Sequence, residues 1–254
     1  MKCVDLTPFD LRGNLVIKAK LKSLQVAIAV VFLITVFTTY GCKGTLGIWK
    51  NDRHPAVLYS VDTDQKVVAL TIDDGPDPVS TRLILDTLAE NEATATFFII
   101  TERIPGNEPL LEEMVASGHE LGNHLTREER SIDLEPPVFE KELIRSRDLL
   151  SEFSETHWFR PGSGRYDDWM LDILAKNDYQ CALGSIYPLD AQITSSWFAK
   201  KVILWGVKPG AIIILHDAGS RGVRTARLLA DVLPELRKKG YRIVSLTELQ
   251  SIAG

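Results

Sequence analysis

From residue 66 onward, candidate strands alternate with stretches whose apolar residues recur at helical spacing. The strand candidates lie at 67–72, 94–100, 119–124, 156–161, 180–185, 210–217 and 241–246. Helical patterns begin near residues 77, 108, 137, 167, 195 and 224, and a short one follows 246. Strands that alternate with helices in this way are typical of a parallel sheet covered by helices. The pattern therefore predicts an α/β fold of about seven parallel strands, arranged either as an open doubly wound sheet or as a barrel.

The first 65 residues follow a different pattern. Residues 23–42 are twenty uncharged, mostly apolar residues, and a helix of that length spans roughly 30 Å, the thickness of one hydrocarbon core. Lysine and arginine are more frequent before this run than after it, which favours a cytoplasmic N-terminus. We therefore expect a cytoplasmic segment at 1–22, a single-pass signal anchor in the cell membrane at 23–42, a linker at 43–65, and an extracytoplasmic domain at 66–254. Cleavage, or lipidation at Cys42, is the alternative.

Composition excludes some classes of function. The net charge is −5, and no basic stripe of the kind that binds nucleic acid is visible in the sequence. The three cysteines, Cys3, Cys42 and Cys181, are far apart, so they indicate neither a zinc pair nor a disulfide framework. No glycine-rich phosphate-binding motif follows the first strand, which argues against nucleotide binding.

Polar side chains that could take part in catalysis or metal binding lie where the candidate strands end. They are Asp73, Asp74, His124, Arg160, Asp190, His216 and Asp217. Parallel strands end at the same rim, and α/β barrels build their sites at the carboxyl-terminal rim. The pattern predicts that these side chains converge on one site.

The residue types at this rim indicate acid–base chemistry combined with metal binding. In TIDDGP (71–76), one of two adjacent aspartates can bind a cation while the other stays free as a base. His124 and Glu128 are spaced i, i+4 and share a face of a helical turn. Aspartate, histidine and glutamate together form a ligand set suited to zinc or a harder divalent metal. Taken singly, DDG is typical of a turn and Glu128 of a solvated charge run, so the joint pattern carries the prediction.

Five segments resemble the motifs of polysaccharide deacetylases of carbohydrate esterase family 4, the NodB homology domain. They are TIDDGP, GHELGNH, FRPGSG, YPLD and GAIIILHD, and their order and spacing agree with the family across residues 66–250. The resemblance implies a distorted (β/α) barrel, usually with seven strands. It also implies metal-assisted removal of acetyl groups from an N-acetylglucosamine-containing polysaccharide, such as peptidoglycan or a chitooligosaccharide.

The resemblance implies a role for each residue that matches a motif. Asp73 is expected to be the general base, held by Arg160. His216 is expected to be the general acid, oriented by Asp190, which raises the pKa of the imidazole.

The resemblance also implies a metal site and a substrate pocket. Asp74 and His124 are expected to bind a divalent metal, zinc with cobalt or manganese as alternatives. Glu128 stands where the family has a second metal histidine, and a carboxylate there favours harder metals. Ser163 is expected to offer its backbone N–H to the oxyanion, and Leu215 to line the pocket for the acetyl methyl group.

Two other functions are compatible with the sequence. The substitution at Glu128 and the weak YPLD motif fit a metal-free, non-catalytic polysaccharide-binding protein. The same scaffold also supports a C–N hydrolase of a small amide or cyclic imide, although a membrane tether suits a wall-bound polymer better.

Overall fold

A computed structural model describes residues 54–252 of the chain. In this part of the chain the strands form one eight-stranded sheet whose strand pairs are all parallel. The strands are β1 (Val57–Leu58), β2 (Val67–Gly75), β3 (Thr96–Ile99), β4 (Glu120–Asn123), β5 (Trp158–Phe159), β6 (Gln180–Ala182), β7 (Ile212–His216) and β8 (Arg242–Val244).

Helices follow most of the strands, as the sequence pattern predicts. They are α1 (Ser80–Glu90), α2 (Glu108–Ala116), α3 (Pro136–Leu150), α4 (Asp168–Lys176), α5 (Ser196–Gly206), α6 (Gly219–Lys238) and α7 (Leu246–Ser251). The alternation confirms a parallel α/β architecture.

The sheet curls so that its two ends approach each other. The strand order is β1-β6-β5-β4-β3-β2-β7, and β8 pairs with the start of β2. Beyond β6, the N–H groups of Ser185 and Ile186 donate to the Ile212 carbonyl at 3.1 and 3.0 Å, and Ile214 N–H donates to the Ile186 carbonyl at 2.9 Å. These bonds join the segment after β6 to β7, which is consistent with the distorted barrel rather than with an open sheet.

Part of the predicted linker belongs to the folded domain. β1 lies within 43–65 and pairs with β6, with Val57 opposite Cys181. Tyr59 and Val61 are buried. The predicted boundary at residue 66 is therefore too late, because these apolar residues cover the edge strand β6. β1 is also the strand beyond the expected seven.

No helix within residues 54–252 combines the length and apolar character needed to cross a membrane. The predicted anchor at 23–42 and the segment at 1–22 lie outside the described residues.

The strand alternation divides the apolar residues between two faces of the sheet. Ile213 and Leu215 of β7 join the cluster that packs against the helices, whereas Ile212 joins the cluster that contains Phe98. This alternation decides which residues of a motif can face the site.

His119 is a buried histidine at the start of β4, away from the strand ends that carry the reactive groups. Its Nδ1 accepts a hydrogen bond from Ala95 N–H at 3.2 Å, and its ring contacts the edge of Phe97. Burial lowers the pKa of His119 from 6.5 to about 4, although the charge of Glu113 raises it slightly. The imidazole is therefore a neutral packing group in the folded protein.

We predict that His119 makes the fold sensitive to mild acid. In the unfolded chain the imidazole binds a proton below its ordinary pKa of 6.5, but in the folded chain it does so only below about 4. Stability contributed by the neutral ring is thus present above 6.5 and is lost between 6.5 and 4, by up to about 3 kcal/mol. Chemical denaturation of wild type and His119→Asn across this range measures the difference. Parallel stability curves for the two proteins would contradict the prediction.

Candidate active site

A buried ion pair joins Asp73 to Arg160 at the centre of the rim. Arg160 Nη1 lies 2.6 Å from Asp73 Oδ1, and the arginine side chain is only 2% exposed. The guanidinium also donates to Thr71 Oγ1 at 2.7 Å and to the Ala182 carbonyl at 2.9 Å. Because a buried charge is stable only when it is paired and hydrogen-bonded, these contacts fix the orientation of the Asp73 carboxylate.

A second buried pair joins His216 to Asp190. His216 Nδ1 lies 3.1 Å from Asp190 Oδ1, and His216 N–H donates to Asp190 Oδ2 at 2.9 Å. Burial alone would lower the pKa of His216, but the hydrogen bond and charge of Asp190, with the charges of Asp73 and Asp74, raise it above 6.5. The raised pKa favours the protonated imidazole. Because Nδ1 faces Asp190, Nε2 is the nitrogen from which a proton can be donated to another group.

The two pairs are neighbours because of strand register. Asp73 of β2 lies opposite His216 of β7. Charged side chains on directly opposed residues of adjacent strands lie close together. The structure therefore brings the Asp73 carboxylate and the His216 imidazole to the same point of the rim.

A β-bulge explains how adjacent aspartates take different environments. Asp73 pairs with Phe98 and Gly75 pairs with Ile99, so Asp74 is the extra residue. Its φ of 71° lies in the left-handed region, a conformation that also occurs in one class of β-bulge. The bulge lets both carboxylates lie at the rim instead of on opposite faces of β2.

Asp74 contacts His124, as the sequence predicts. Asp74 Oδ1 lies 3.4 Å from His124 Nε2, while His124 Nδ1 donates to the Arg160 carbonyl at 2.7 Å. Burial would raise the pKa of Asp74, but His124, His216 and Arg221 lower it to about 2. Burial would lower the pKa of His124, but the hydrogen bond that it donates to Asp74 and the charges of Asp73 and Asp74 raise it.

Glu128 does not join Asp74 and His124 as a third ligand, contrary to the sequence prediction. Its Oε2 accepts a hydrogen bond from Arg103, and its Oε1 lies 3.3 Å from Arg221 Nη2. The Glu128 side chain is 51% exposed. Two guanidinium groups therefore hold this carboxylate at the outer edge of the site.

The described residues do not fit a three-ligand metal site. Within residues 54–252, no group of three histidine, cysteine, aspartate or glutamate side chains is placed to hold a metal ion. Asp74 and His124 are the two donors that would hold one. However, the other oxygen of Asp74 is already 3.0 Å from Arg221 Nη2.

The structure corrects the expected acetyl pocket. Leu215 is fully buried and packs in the cluster under the helices, so it faces away from the rim. Ile214 shares the face of His216 by strand alternation, and it lies against Gly184, where an added Cβ would come 2.7 Å from Ile214 Cγ1. Ile214 is therefore the residue of β7 that can line a pocket beside His216.

Ser163 lies in an exposed turn, Gly162–Gly164, that follows β5. Its φ of 66° lies in the left-handed region. The turn is fixed at Gly162, whose N–H donates to Ser131 Oγ at 2.9 Å and whose hydrogen atoms face the Glu129 carbonyl, with no room for a Cβ. Ser163 is thus held in a constrained turn just after β5, and its expected role in the oxyanion site stays a prediction.

Three residues of the site were missed in the sequence. Ile214 could have been found by counting two residues back from His216. Arg103 and Arg221 had no usable signal, because each lies in a segment that the motifs do not include.

Comparison with known proteins places the chain among deacetylases. The family model described as "Polysaccharide deacetylase" matches residues 60–182. A peptidoglycan-N-acetylglucosamine deacetylase of Bacillus cereus is 33% identical over 196 residues, which cover 76% of this chain and 92% of that protein. A chitooligosaccharide deacetylase of Bradyrhizobium sp. is 29% identical, with 72% of this chain and 90% of that protein covered.

Solved structures of deacetylases and of a related esterase also resemble this chain. The Bc1960 peptidoglycan N-acetylglucosamine deacetylase superposes with a TM-score of 0.74 at 25% identity, covering 77% of this chain and 93% of that one. A family 4 acetyl xylan esterase from Clostridium thermocellum, solved with a cobalt ion, gives a TM-score of 0.67 at 29% identity, covering 74% and 91%.

We predict that Asp190 sustains the raised pKa of His216. Replacing Asp190 with asparagine removes the negative charge but keeps a hydrogen-bond acceptor, so the His216 ring should titrate at a lower pH than in wild type. NMR titration of histidine-labelled protein, with His216→Gln to assign the signal, measures the change. The signals of His157, which lies at the surface next to Glu155, should not move. An unchanged His216 titration would show that Asp190 does not control the proton.

Proposed function

This chain belongs to the polysaccharide deacetylase family, and we propose that it hydrolyses the N-acetyl groups of an N-acetylglucosamine-containing polysaccharide, either peptidoglycan or a chitooligosaccharide. The activity is that of a hydrolase acting on carbon–nitrogen bonds other than peptide bonds. The relatives named above are deacetylases of these two kinds of substrate. The fold and the rim support the same activity for this chain.

The observation that carries the proposal is the pairing of Asp73–Arg160 with His216–Asp190 on adjacent strands. Amide hydrolysis needs a base to deprotonate water and an acid to protonate the leaving nitrogen. A positioned base and a positioned acid each contribute about 10²–10⁴-fold. Asp73 supplies the first group and His216 the second.

In the proposed reaction, Asp73 accepts a proton from a water molecule as its oxygen attacks the acetyl carbonyl carbon. The carbonyl π pair moves to oxygen and forms a tetrahedral intermediate. The backbone N–H of Ser163 donates to that oxygen, a contact of the kind that contributes a few kcal/mol, about 2.7–4. His216 then donates its proton to the nitrogen, the C–N bond breaks, and acetate and a free amine are released.

The remaining groups of the rim orient these two. Arg160 holds the Asp73 carboxylate in a fixed orientation, and Asp190 keeps the His216 proton in place. Ile214, rather than Leu215, contacts the acetyl methyl group in this proposal.

The family resemblance also implies a divalent metal ion, zinc with cobalt or manganese as alternatives. When bound, such an ion polarises the acetyl carbonyl and acidifies water. Asp74 and His124 are the residues that would hold it. Glu128 does not join them as a third ligand, and Arg221 places a positive charge next to Asp74. The proton transfers assigned above belong to the chain's own residues.

We predict that Asp73→Asn lowers acetate release by at least about 10²-fold. The substitution removes the base but keeps the shape of the side chain, so binding of substrate should change little. The assay is acetate release from N-acetylated chitooligosaccharides and from peptidoglycan, with thermal unfolding to confirm that the fold is retained. Asp86→Asn, on the exposed face of α1, is the matched control and should behave as wild type. Wild-type rates in the Asp73 variant would refute the role of this residue.

We also propose that residues 23–42 anchor the domain at the outer face of the cell membrane. The uncharged twenty-residue run and the basic residues before it support this location. Mass spectrometry of protein from the membrane fraction should find Met1 intact. A mature N-terminus at Cys42 would instead show processing as a lipoprotein.

A further inference from the structure

Two arginines outside the motifs form a closed ring of contacts with two acidic residues of the rim. Arg221 Nη2 lies 3.0 Å from Asp74 Oδ2 and 3.3 Å from Glu128 Oε1. Arg103 donates to Glu128 Oε2 and to the backbone carbonyl of Asp74. Both oxygens of Glu128 are thereby paired with guanidinium groups.

The position of Arg221 is fixed by the fold. Its Nε donates to the Asp217 carbonyl at 3.1 Å, and the Asp217 carboxylate accepts hydrogen bonds from Ser80 and Thr81. Gly222 lets the first turn of α6 pack against the Asp217 carboxylate, because an added Cβ would come 2.2 Å from Asp217 Oδ1. The Arg221 side chain is only 23% exposed. The first turn of α6 therefore directs this guanidinium into the rim.

This arrangement leaves little room for a divalent cation. A metal ion bound to Asp74 and His124 would share the Asp74 carboxylate with a permanently charged guanidinium. Two positive charges that contact the same carboxylate lie close together, and they repel strongly in a partly buried site. Glu128 cannot offset the repulsion, since its two oxygens are occupied by Arg103 and Arg221.

We propose that Arg221 takes the place of a divalent metal ion beside Asp74. The guanidinium supplies a fixed positive charge and N–H donors at the position where a deacetylase of this kind needs to polarise the acetyl oxygen. Arginine groups stabilise developing negative charge in this way in other transfer reactions. The substitution of the metal rests on geometry alone, while the polarising role of Arg221 also rests on the proposed deacetylase function.

Metal binding tests the first half of the proposal without any substrate. After dialysis against EDTA and removal of the chelator, Zn²⁺ is titrated into wild type, Glu128→His, and the double variant Glu128→His/Arg221→Ala, with stoichiometry confirmed by elemental analysis. We expect the double variant to bind one equivalent at least about 100-fold more tightly than either of the other two, because only it lacks the competing charge. Circular dichroism reports whether each variant is folded.

Two outcomes would overturn the proposal. One is wild-type protein that binds one equivalent of Zn²⁺ as tightly as the double variant. The other is Glu128→His alone binding tightly, which would show that Arg221 is no obstacle. Arg224→Ala, in the next turn of α6, is the matched control for loss of a positive charge and should bind Zn²⁺ as wild type does. If the double variant does not fold, the wild-type and Glu128→His titrations still decide, since tight binding by either contradicts the proposal.

Activity tests the second half. Acetate release by wild type should survive EDTA treatment, and Arg221→Ala should lower it by at least about 10²-fold, with Arg221→Lys retaining more activity than the alanine variant. Loss of activity on chelation and its recovery with Zn²⁺ would refute the role of Arg221. If wild type releases no acetate from any substrate, with or without metal, the proposed function fails, and the Zn²⁺ titrations still decide whether Arg221 replaces the metal.

Discussion

The rim depends on a single buried guanidinium. Arg160 is almost fully enclosed, and a charge in that position is tolerated only if its donors and its charge are satisfied. Asp73 and Thr71 of β2 and the carbonyls of Ala182 and Leu183 at the end of β6 do this. The ring of Phe98 covers its face, 4.1 Å from the guanidinium carbon. One side chain thus ties the end of β5 to β2 and β6, and it sets the position of the carboxylate that would act as base.

The second constraint is the bulge at Asp74. On a regular strand, Asp73 and Asp74 would point to opposite faces, and one of them would be buried against the helices without a partner. The extra residue in β2 places Asp74 toward His124 while Asp73 remains with Arg160. The local backbone conformation is therefore what allows two neighbouring carboxylates to have separate partners.

Sequence reasoning located the strand ends because apolar runs and their terminal polar residues are local patterns. It also paired Asp73 with Arg160 and Asp190 with His216, since the motif resemblance carries that information. It misplaced Leu215, because a motif gives position along a strand but the site depends on which face the side chain takes. It missed β1, whose two residues are stable as a strand only through pairing with β6.

The error at Glu128 has a different origin. The i, i+4 spacing from His124 suggested a shared helical face, but the residues after β4 form a loop that ends in the short 3₁₀ turn Ser131–Asp133. The Glu128 carboxylate instead forms ion pairs with Arg103, from the turn after β3, and with Arg221, from α6. Neither arginine is close to Glu128 in sequence, so the contact depends on how distant elements pack.

These contacts show that matching motifs do not determine the electrostatics of a site. The Asp73–Arg160 and His216–Asp190 pairs are formed by motif residues, and the chain retains both. The charge beside Asp74 is instead set by elements that the motifs leave out, and here those elements provide guanidinium groups. On the proposed assignment, a single arginine in the first turn of α6 changes which cation the rim favours, while the fold and the two buried ion pairs remain as they are.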